Sequence, residues 1–447
     1  MPGSDCCPAL RPGDPWSSGL PSEITDEGTV MNGSAPPITK PNSILGKIAV
    51  WGPGLLVMLA DTDAGNVVTG AQAGARWGYR LLPLLLLLAP MLYMVQELTV
   101  RLGVSTGRGY GELIREKFGA GWAWLSLLGL AAAVIGSLVT EFTGVAGIGE
   151  LYGLSRVVTL PLAVVALLAI VGTGSYRRVE RTAIFVGLFE LAFFVVAWAA
   201  HPSLAALAMD AVDSPIGNRD FLYMTAAIIG AVFNPWMIFY QQSAIADKKL
   251  RLEDLKPARL DTAFGAALTQ CLTGAVLIAA AATLGKNGSS VGLGSVGEIS
   301  NALSPVLGEN FGRLVFSVGV LGASLVAAIV CSLALAWGAG EVAGYKHSLE
   351  HHPFAAKWFY GVYAACVVGS AAAVGIVPDL VWLNIAAQVL NAFLLPLVIG
   401  LLIALALTAL PAAMRPKGAY LCAIIAVCAL VIAVGVYGGF QGLASPW

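Results

Sequence analysis

The sequence predicts an all-α polytopic membrane protein built as two five-helix repeats of opposite orientation, each opening on a broken helix, with an eleventh helix appended. Three observations carry that expectation. The 447 residues are 57% hydrophobic and only 11% charged, with a mean hydropathy of +0.80, too little polar surface for a soluble globule of this size. Eleven apolar stretches approach the length of about 20 residues that a helix needs to cross a bilayer. Two of them, five helices apart, are interrupted by residues that break a helix.

Taken in order, residues 1 to about 44 are rich in Pro, Gly, Ser and Asp and lack an apolar run. They read as a disordered cytoplasmic tail, neither a secretory signal nor a folded domain. The transmembrane domain then occupies residues 45–447, with spans near 46–75, 80–100, 122–152, 157–173, 182–201, 221–246, 260–284, 312–340, 356–377, 380–410 and 418–440. The first repeat is about 46–201, the second about 221–410, and the extra helix about 418–440. With the N-terminus placed in the cytoplasm, 19 of the 25 Lys and Arg residues fall on that side, so the positive-inside rule predicts N-in and C-out. Lys248, Lys249 and Arg251 read as anchors of this kind. Seven Cys are scattered without zinc or disulfide spacing, and Cys271, Cys331, Cys366, Cys422 and Cys428 read as buried small apolar residues.

The first span contains the segment Leu59 to Tyr79, LADTDAGNVVTGAQAGARWGY, which places Asp61, Asp63 and an Ala-Gly-Asn break inside an apolar helix. An ionised Asp at mid-helix costs roughly 2.5 to 3.5 kcal/mol on insertion scales. Lys47 and Arg76, at the ends of the segment, are the nearest cationic residues in sequence, so a bound cation is the natural compensation. The sixth span has no charge but breaks at Asn234-Pro235. In an N-in chain the two breaks occupy corresponding places in oppositely oriented halves, the pattern of an inverted-repeat transporter with its site at the midplane.

Asp63 and Asn66 supply hard oxygens suited to Mg²⁺, Ca²⁺ and Mn²⁺. Each could also cap the helix that resumes at Val67. Asn234 before Pro235 is equally a ligand or an N-cap. The carbonyls of Ala60 and Ala231, one turn before each break, lose their usual helical donors and could complete a coordination shell or bind water. Asp61 should project from another helix face, where it could extend a hydrated vestibule, assist the site, or be a carboxyl kept neutral by burial. Gln241 and Gln242 follow in the sixth span, and Gln388 and Asn391 in the tenth either face the cavity or join helices. Glu97 and Glu190 read either way; Glu97 should lie near the end of the second span with Arg101. His347, His351 and His352 read as a solvated loop rather than a metal cluster.

The stretches GPGLLVMLADTDAGN, TGAQAGARWGY and RLGVSTGRGYGELIREKFG resemble the first two helices of the NRAMP family of divalent-metal transporters, whose first-helix motif is Asp-Pro-Gly-Asn. Asp63-Ala64-Gly65-Asn66 matches three of its four positions. The similarity is densest over residues 51–119, recognisable around 230–243 and 388–396, and extends from residue 46 onward. It implies a LeuT-like architecture with broken helices 1 and 6. The departures are Asn234-Pro235-Trp236, where the family has Met-Pro-His, and Gly144, where it has an acid; Glu141 keeps the other acidic position of the third helix. Loss of the thioether removes the ligand that favours transition metals over alkaline earths. The pattern resembles the NRAMP-related magnesium transporter branch.

The resemblance implies alternating-access transport of a divalent cation, Mg²⁺ first and Mn²⁺ also. No titratable His lies in a transmembrane core, so transport is expected to be uncoupled from protons, with Glu141 the remaining proton carrier. Two alternatives stand beside this: a proton-coupled Mn²⁺/Fe²⁺ transporter of the NRAMP type, and a non-transporting membrane metal sensor. An enzyme is not expected, since no nucleophile, base or closed ligand set is evident. The expected partners are the divalent metal ion as substrate and the lipid bilayer of the plasma membrane, with no resident cofactor, nucleic acid or obligate protein partner.

Overall fold

The computed structural model describes residues 50–210, 213–284, 293, 296–303, 307–376 and 381–443; the predicted tail and Lys47 lie outside them. All of these residues belong to a unit formed by residues 43–447. Helices and turns, with no strand, make up the described residues. The first span is α1 (Pro53–Asp61) and α2 (Ala64–Trp77), followed by α3 (Leu82–Thr106), α4 (Tyr110–Phe118), α5 (Ala120–Leu151) and α6 (Arg156–Val171). The fifth span is α7 (Tyr176–Gly187), a 3₁₀ turn at Leu188–Leu191, and α8 (Ala192–Ala199). After the short α9 (Leu204–Asp210), the sixth span is α10 (Arg219–Val232) and α11 (Pro235–Asp247). Then come α12 (Leu255–Leu284), the short α13 (Val296–Leu303), α14 (Glu309–Ala343), α15 (Lys357–Ile376), α16 (Val381–Thr408) and α17 (Gly418–Leu443).

All eleven expected spans are present as helices, with departures in shape in the fourth and the fifth. Nine helices among the described residues are long and apolar enough to cross a membrane. The fourth span, α6, is a shorter apolar helix, and the first is divided by its break. The fifth is interrupted by its 3₁₀ turn, which apolar periodicity does not register. Three of the five transmembrane cysteines also depart from expectation: Cys271 and Cys422 are exposed on the protein surface and Cys366 is half-buried. In a bilayer an apolar thiol needs no protein cover, so hydrophobicity does not predict its burial.

Both breaks follow from local chemistry. In the first, Thr62 leaves the helical region at φ −76°, ψ 44°, and Asp63 is extended at φ −67°, ψ 173°, the conformation of an N-cap. In the second, Pro235 forces the preceding residue out of the α region, and Asn234 sits at φ −65°, ψ 127°. The tenth span, α16, packs directly across the two breaks because both contact positions are glycine. A Cβ at Gly65 would fall on the Gln388 side-chain amide, and one at Gly230 on the Gln388 backbone carbonyl.

The start of α1 is held by a residue that sequence reasoning did not single out. Asp261 of α12 accepts hydrogen bonds from the N–H groups of Gly52 (3.1 Å), Gly54 (2.8 Å) and Leu55 (3.1 Å). A carboxylate at a helix N-terminus satisfies orphan donors and favours the helix dipole. Gly52, at φ 147°, adopts a backbone conformation closed to other residues. Beside it Lys248 donates to the Trp51 carbonyl (2.8 Å) and pairs with Glu180 (2.9 Å). Lys248 is therefore a buried strut rather than only a charge at the membrane face, whereas Glu97 pairs with Arg101 as expected, at 2.6 Å, and also with Arg259.

Gly230→Ala places its methyl on a backbone carbonyl that cannot rotate away. The expected outcome is a loss of about 1 to 3 kcal/mol, the cost of overpacking, read as a lowered melting temperature of the detergent-solubilised protein.

Candidate metal site

Asp63 caps α2: its Oδ1 accepts the Asn66 backbone N–H at 2.6 Å. One oxygen therefore performs the capping role, leaving the other, Oδ2, buried without a hydrogen-bond partner among the described residues. A charged oxygen left bare in the protein interior is strongly destabilised unless something positive reaches it. Capping thus occupies one oxygen only, and the ligand reading concerns the other.

Asn66 joins the two breaks. Its side-chain amide donates to the Asp61 carbonyl and, at 3.0 Å, to the Ala231 carbonyl of α10. With both N–H donors spent on carbonyls, Oδ1 is the atom it can offer a cation. The carbonyl it takes from the first helix is that of Asp61; Ala60, one residue earlier, is fully buried. Ala231 O also receives the Asn234 amide at 2.7 Å, so two side-chain amides share that carbonyl.

Asn234 has the backbone of an N-cap but makes no capping hydrogen bond. Its amide also reaches Asp61 Oδ1 at 3.3 Å, while its Oδ1 accepts from Asn391 Nδ2 at 2.6 Å. Asn391 also donates to Gln388 Oε1 at 3.1 Å. The tenth-span pair therefore faces the breaks, and its remaining atoms, Gln388 Nε2 and Asn391 Oδ1, are buried without partners among the described residues. Of the readings open for Asp61, the structure agrees with a buried group beside the breaks: it is fully buried and bonds both Asn234 and Thr269 (3.3 Å).

Glu141 of α5 accepts the Ala64 backbone N–H at 3.1 Å, which places a third carboxyl against the first break. Gly144 is required by close approach, since a Cβ there would meet Ser324 Oγ and lie 2.9 Å from the Ala64 methyl. An acidic side chain has no room at that position. Other expected site residues are turned elsewhere. The Trp236 indole donates to Ser137 Oγ (3.1 Å), Gln241 binds Thr262 (2.7 Å) and Thr99 (3.0 Å), and Gln242 donates to the Arg108 carbonyl (3.0 Å). Gln241 and Gln242 join helices rather than lining the breaks. His347 and His351 border a separate cavity of about 400 Å³ with Glu112, Asp247 and Glu341. No group of three or more His, Cys, Asp or Glu side chains among the described residues is arranged to hold a metal. The site is one of few charges, with amides and carbonyls as the other donors.

Residues 54–441 match the family model for natural resistance-associated macrophage protein-like proteins. The chain belongs to the Nramp family. Two Nramp relatives are divalent metal cation transporters MntH. The protein from Bradyrhizobium diazoefficiens is 28% identical over 299 residues, 64% of this chain and 66% of that protein. The protein from Yersinia enterocolitica is 27% identical over 297 residues, 64% of this chain and 71% of that protein. The chain thus spans slightly less than two thirds of the first relative's length. A crystal structure of the Eremococcus coleocola manganese transporter superposes with a TM-score of 0.71 at 17% identity, covering 90% of this chain and 89% of that one. MhsT in complex with L-phenylalanine superposes at 0.59 and 14%, covering 89% and 98%. At these identities the likeness shows the fold, the LeuT-like architecture expected of an Nramp protein, in an integral multi-pass membrane protein.

Asn391→Ala removes the partner that orients Asn234. Loss of an orienting neighbour weakens metal affinity about 10 to 100-fold, whereas Asp63→Ala abolishes binding; equilibrium titration of the purified protein with Mn²⁺ checks both.

Proposed function

We propose that this Nramp protein moves a divalent metal cation across the membrane by alternating access, binding it where the two broken helices face one another. The observation that carries this reading is the buried, unpartnered Asp63 Oδ2, set among amide and carbonyl oxygens with no cationic side chain bonded to it among the described residues. An incoming ion supplies the missing positive charge and exchanges its hydration for Asp63, Asn66 Oδ1, Asn234 Oδ1 and the Ala231 carbonyl. To do so it must displace the amide N–H groups now on Ala231 O, so metal entry and movement of α1 and α10 are one event. The Ala60 carbonyl becomes available if α1 shifts relative to α2. The positive-inside distribution supports a cytoplasmic N-terminus.

Mn²⁺ is the cargo that the family relatives support, since those named above are divalent metal or manganese transporters. Carboxylate, carbonyl and water ligands suit it. A proton link is supported by Glu141, whose carboxyl touches the Ala64 amide of the break, so a His in the sixth span is not needed to bring a titratable group to the site. Uncoupled Mg²⁺ transport is the second reading. It is favoured by Asn234 in place of a thioether, which leaves only oxygen donors, and Mg²⁺ tolerates such a site if it keeps several waters. The family match does not separate the two. A sensor would bind the ion without moving it.

The test is influx into proteoliposomes holding the purified protein, with a metal indicator and a pH dye inside. Mn²⁺ entry with acidification, abolished by Asp63→Ala, is expected. Mg²⁺ entry of equal rate at constant pH would move the reading to the magnesium branch, and metal binding without entry would make the protein a sensor.

A further inference from the structure

The fifth span contributes a carboxyl that the metal site does not use. Glu190 lies in the 3₁₀ turn Leu188–Leu191, is fully buried, and neither of its oxygens has a hydrogen-bond partner among the described residues. The turn is wedged between the first span and α14. A Cβ at Gly187 would lie 3.0 Å from the Leu59 side chain, and one at Gly322 would lie 2.8 Å from Phe189 Cβ. A short 3₁₀ stretch inside a longer helix marks a place where the helix is easily re-formed.

The surroundings of Glu190 are hydroxyl and acid. The Thr62 side chain lies beside its carboxyl without a formed hydrogen bond, and its charged neighbours are Asp61, Asp63 and Glu141. Of the cationic groups near the turn, Arg177, Arg178 and Arg181 of α7 are exposed at the surface, Arg313 pairs with Glu309, Lys248 with Glu180 and Arg259 with Glu97. Other acids on those elements are satisfied, Asp261 by the start of α1 and Glu341 by Ser243 and the Gly111 amide. From Thr62 a chain of hydroxyls leads back to the break. Thr62 Oγ1 and Thr269 Oγ1 are 2.9 Å apart, and Thr269 Oγ1 is 3.3 Å from Asp61 Oδ2.

We propose that Glu190 is a second proton-binding position of transport beside Glu141, and that Thr62 and Thr269 report its state to the metal site. This rests on the proton-linked transport proposed above. A carboxylate buried among acids with no cation to pair it must be neutralised by an ion, and a proton taken from water onto Glu190 Oε forms the carboxylic acid without a ligand shell. Each Thr hydroxyl has one hydrogen to donate. When Glu190 is protonated it donates to Thr62, Thr62 to Thr269, and Thr269 to Asp61. When Glu190 is ionised, Thr62 turns its hydrogen toward Glu190 and the chain loses its direction. The hydrogen bond that Asp61 receives is thereby linked to proton occupancy on the fifth span, with no proton passed to Asp61.

The experiment uses full-length wild type, Glu190→Gln, Glu190→Asp and Thr62→Val in proteoliposomes, reading Mn²⁺ entry and lumenal acidification, with Mn²⁺ affinity measured separately. Glu190→Gln should retain Mn²⁺ affinity yet lose most of the protons moved per Mn²⁺. Glu190→Asp should recover much of that ratio. Thr62→Val should lower it with affinity intact, which keeps the test decisive if Glu190→Gln misfolds. An unchanged proton ratio in Glu190→Gln and Thr62→Val overturns the assignment alone. Mn²⁺ entry without acidification in wild type overturns it together with proton linkage, and entry that requires Na⁺ overturns the choice of ion. Absence of Mn²⁺ entry in wild type overturns the transport reading on which it rests.

Discussion

The bare Asp63 oxygen inside a low-dielectric helical bundle is the constraint around which the rest is arranged. A charge in that place is tolerated only if an ion arrives or the surrounding dipoles substitute for it. The first helix breaks so that Asp63 can cap α2, and the cap consumes one oxygen while holding the other fixed. The second break faces the first because Asn66 hydrogen-bonds across to Ala231, and the tenth span closes over both because Gly65 and Gly230 leave room for Gln388. Broken helices, amide bridges and glycine contacts are therefore parts of one solution to a single electrostatic problem.

The amide side chains around that oxygen have two sets of partners. In the present arrangement Asn66 and Asn234 share the carbonyl of Ala231, and Asn391 holds Asn234. Gln388 Nε2 and Asn391 Oδ1 are left without partners beside the bare Asp63 oxygen. On the transport reading proposed above, an ion would compete for the same carbonyl and amide oxygens, so that its entry and the rearrangement of these amides are linked.

Much of this was legible in the sequence, because hydropathy and helix-breaking residues act locally. The eleven spans, both breaks and Asp63, Asn66 and Asn234 follow from length, Pro, Gly and misplaced polar groups. The features that were not legible depend on packing between segments far apart in the chain. Helical spacing assigns Asp61 to a separate face, but the chain stops being helical immediately after it, so that spacing no longer fixes where it points. Gln241 and Gln242 look equivalent to Gln388 and Asn391 by composition, yet they fall two turns beyond the break. Asp261, whose partners lie about two hundred residues earlier, gave no local signal at all.

That last residue bears on how the molecule can move. Helix α1 is nine residues long, about 14 Å at 1.5 Å per residue, with a non-helical joint at one end and Asp261 at the other. All three N–H groups at its start converge on one carboxylate, and Lys248 secures the adjoining carbonyl. Moving that start away from α12 would strip three donors from one buried carboxylate. The rod is consequently tethered at one end and jointed at the other, so that a change of angle between α1 and α2 is centred on Thr62 and Asp63 and leaves the tether in place.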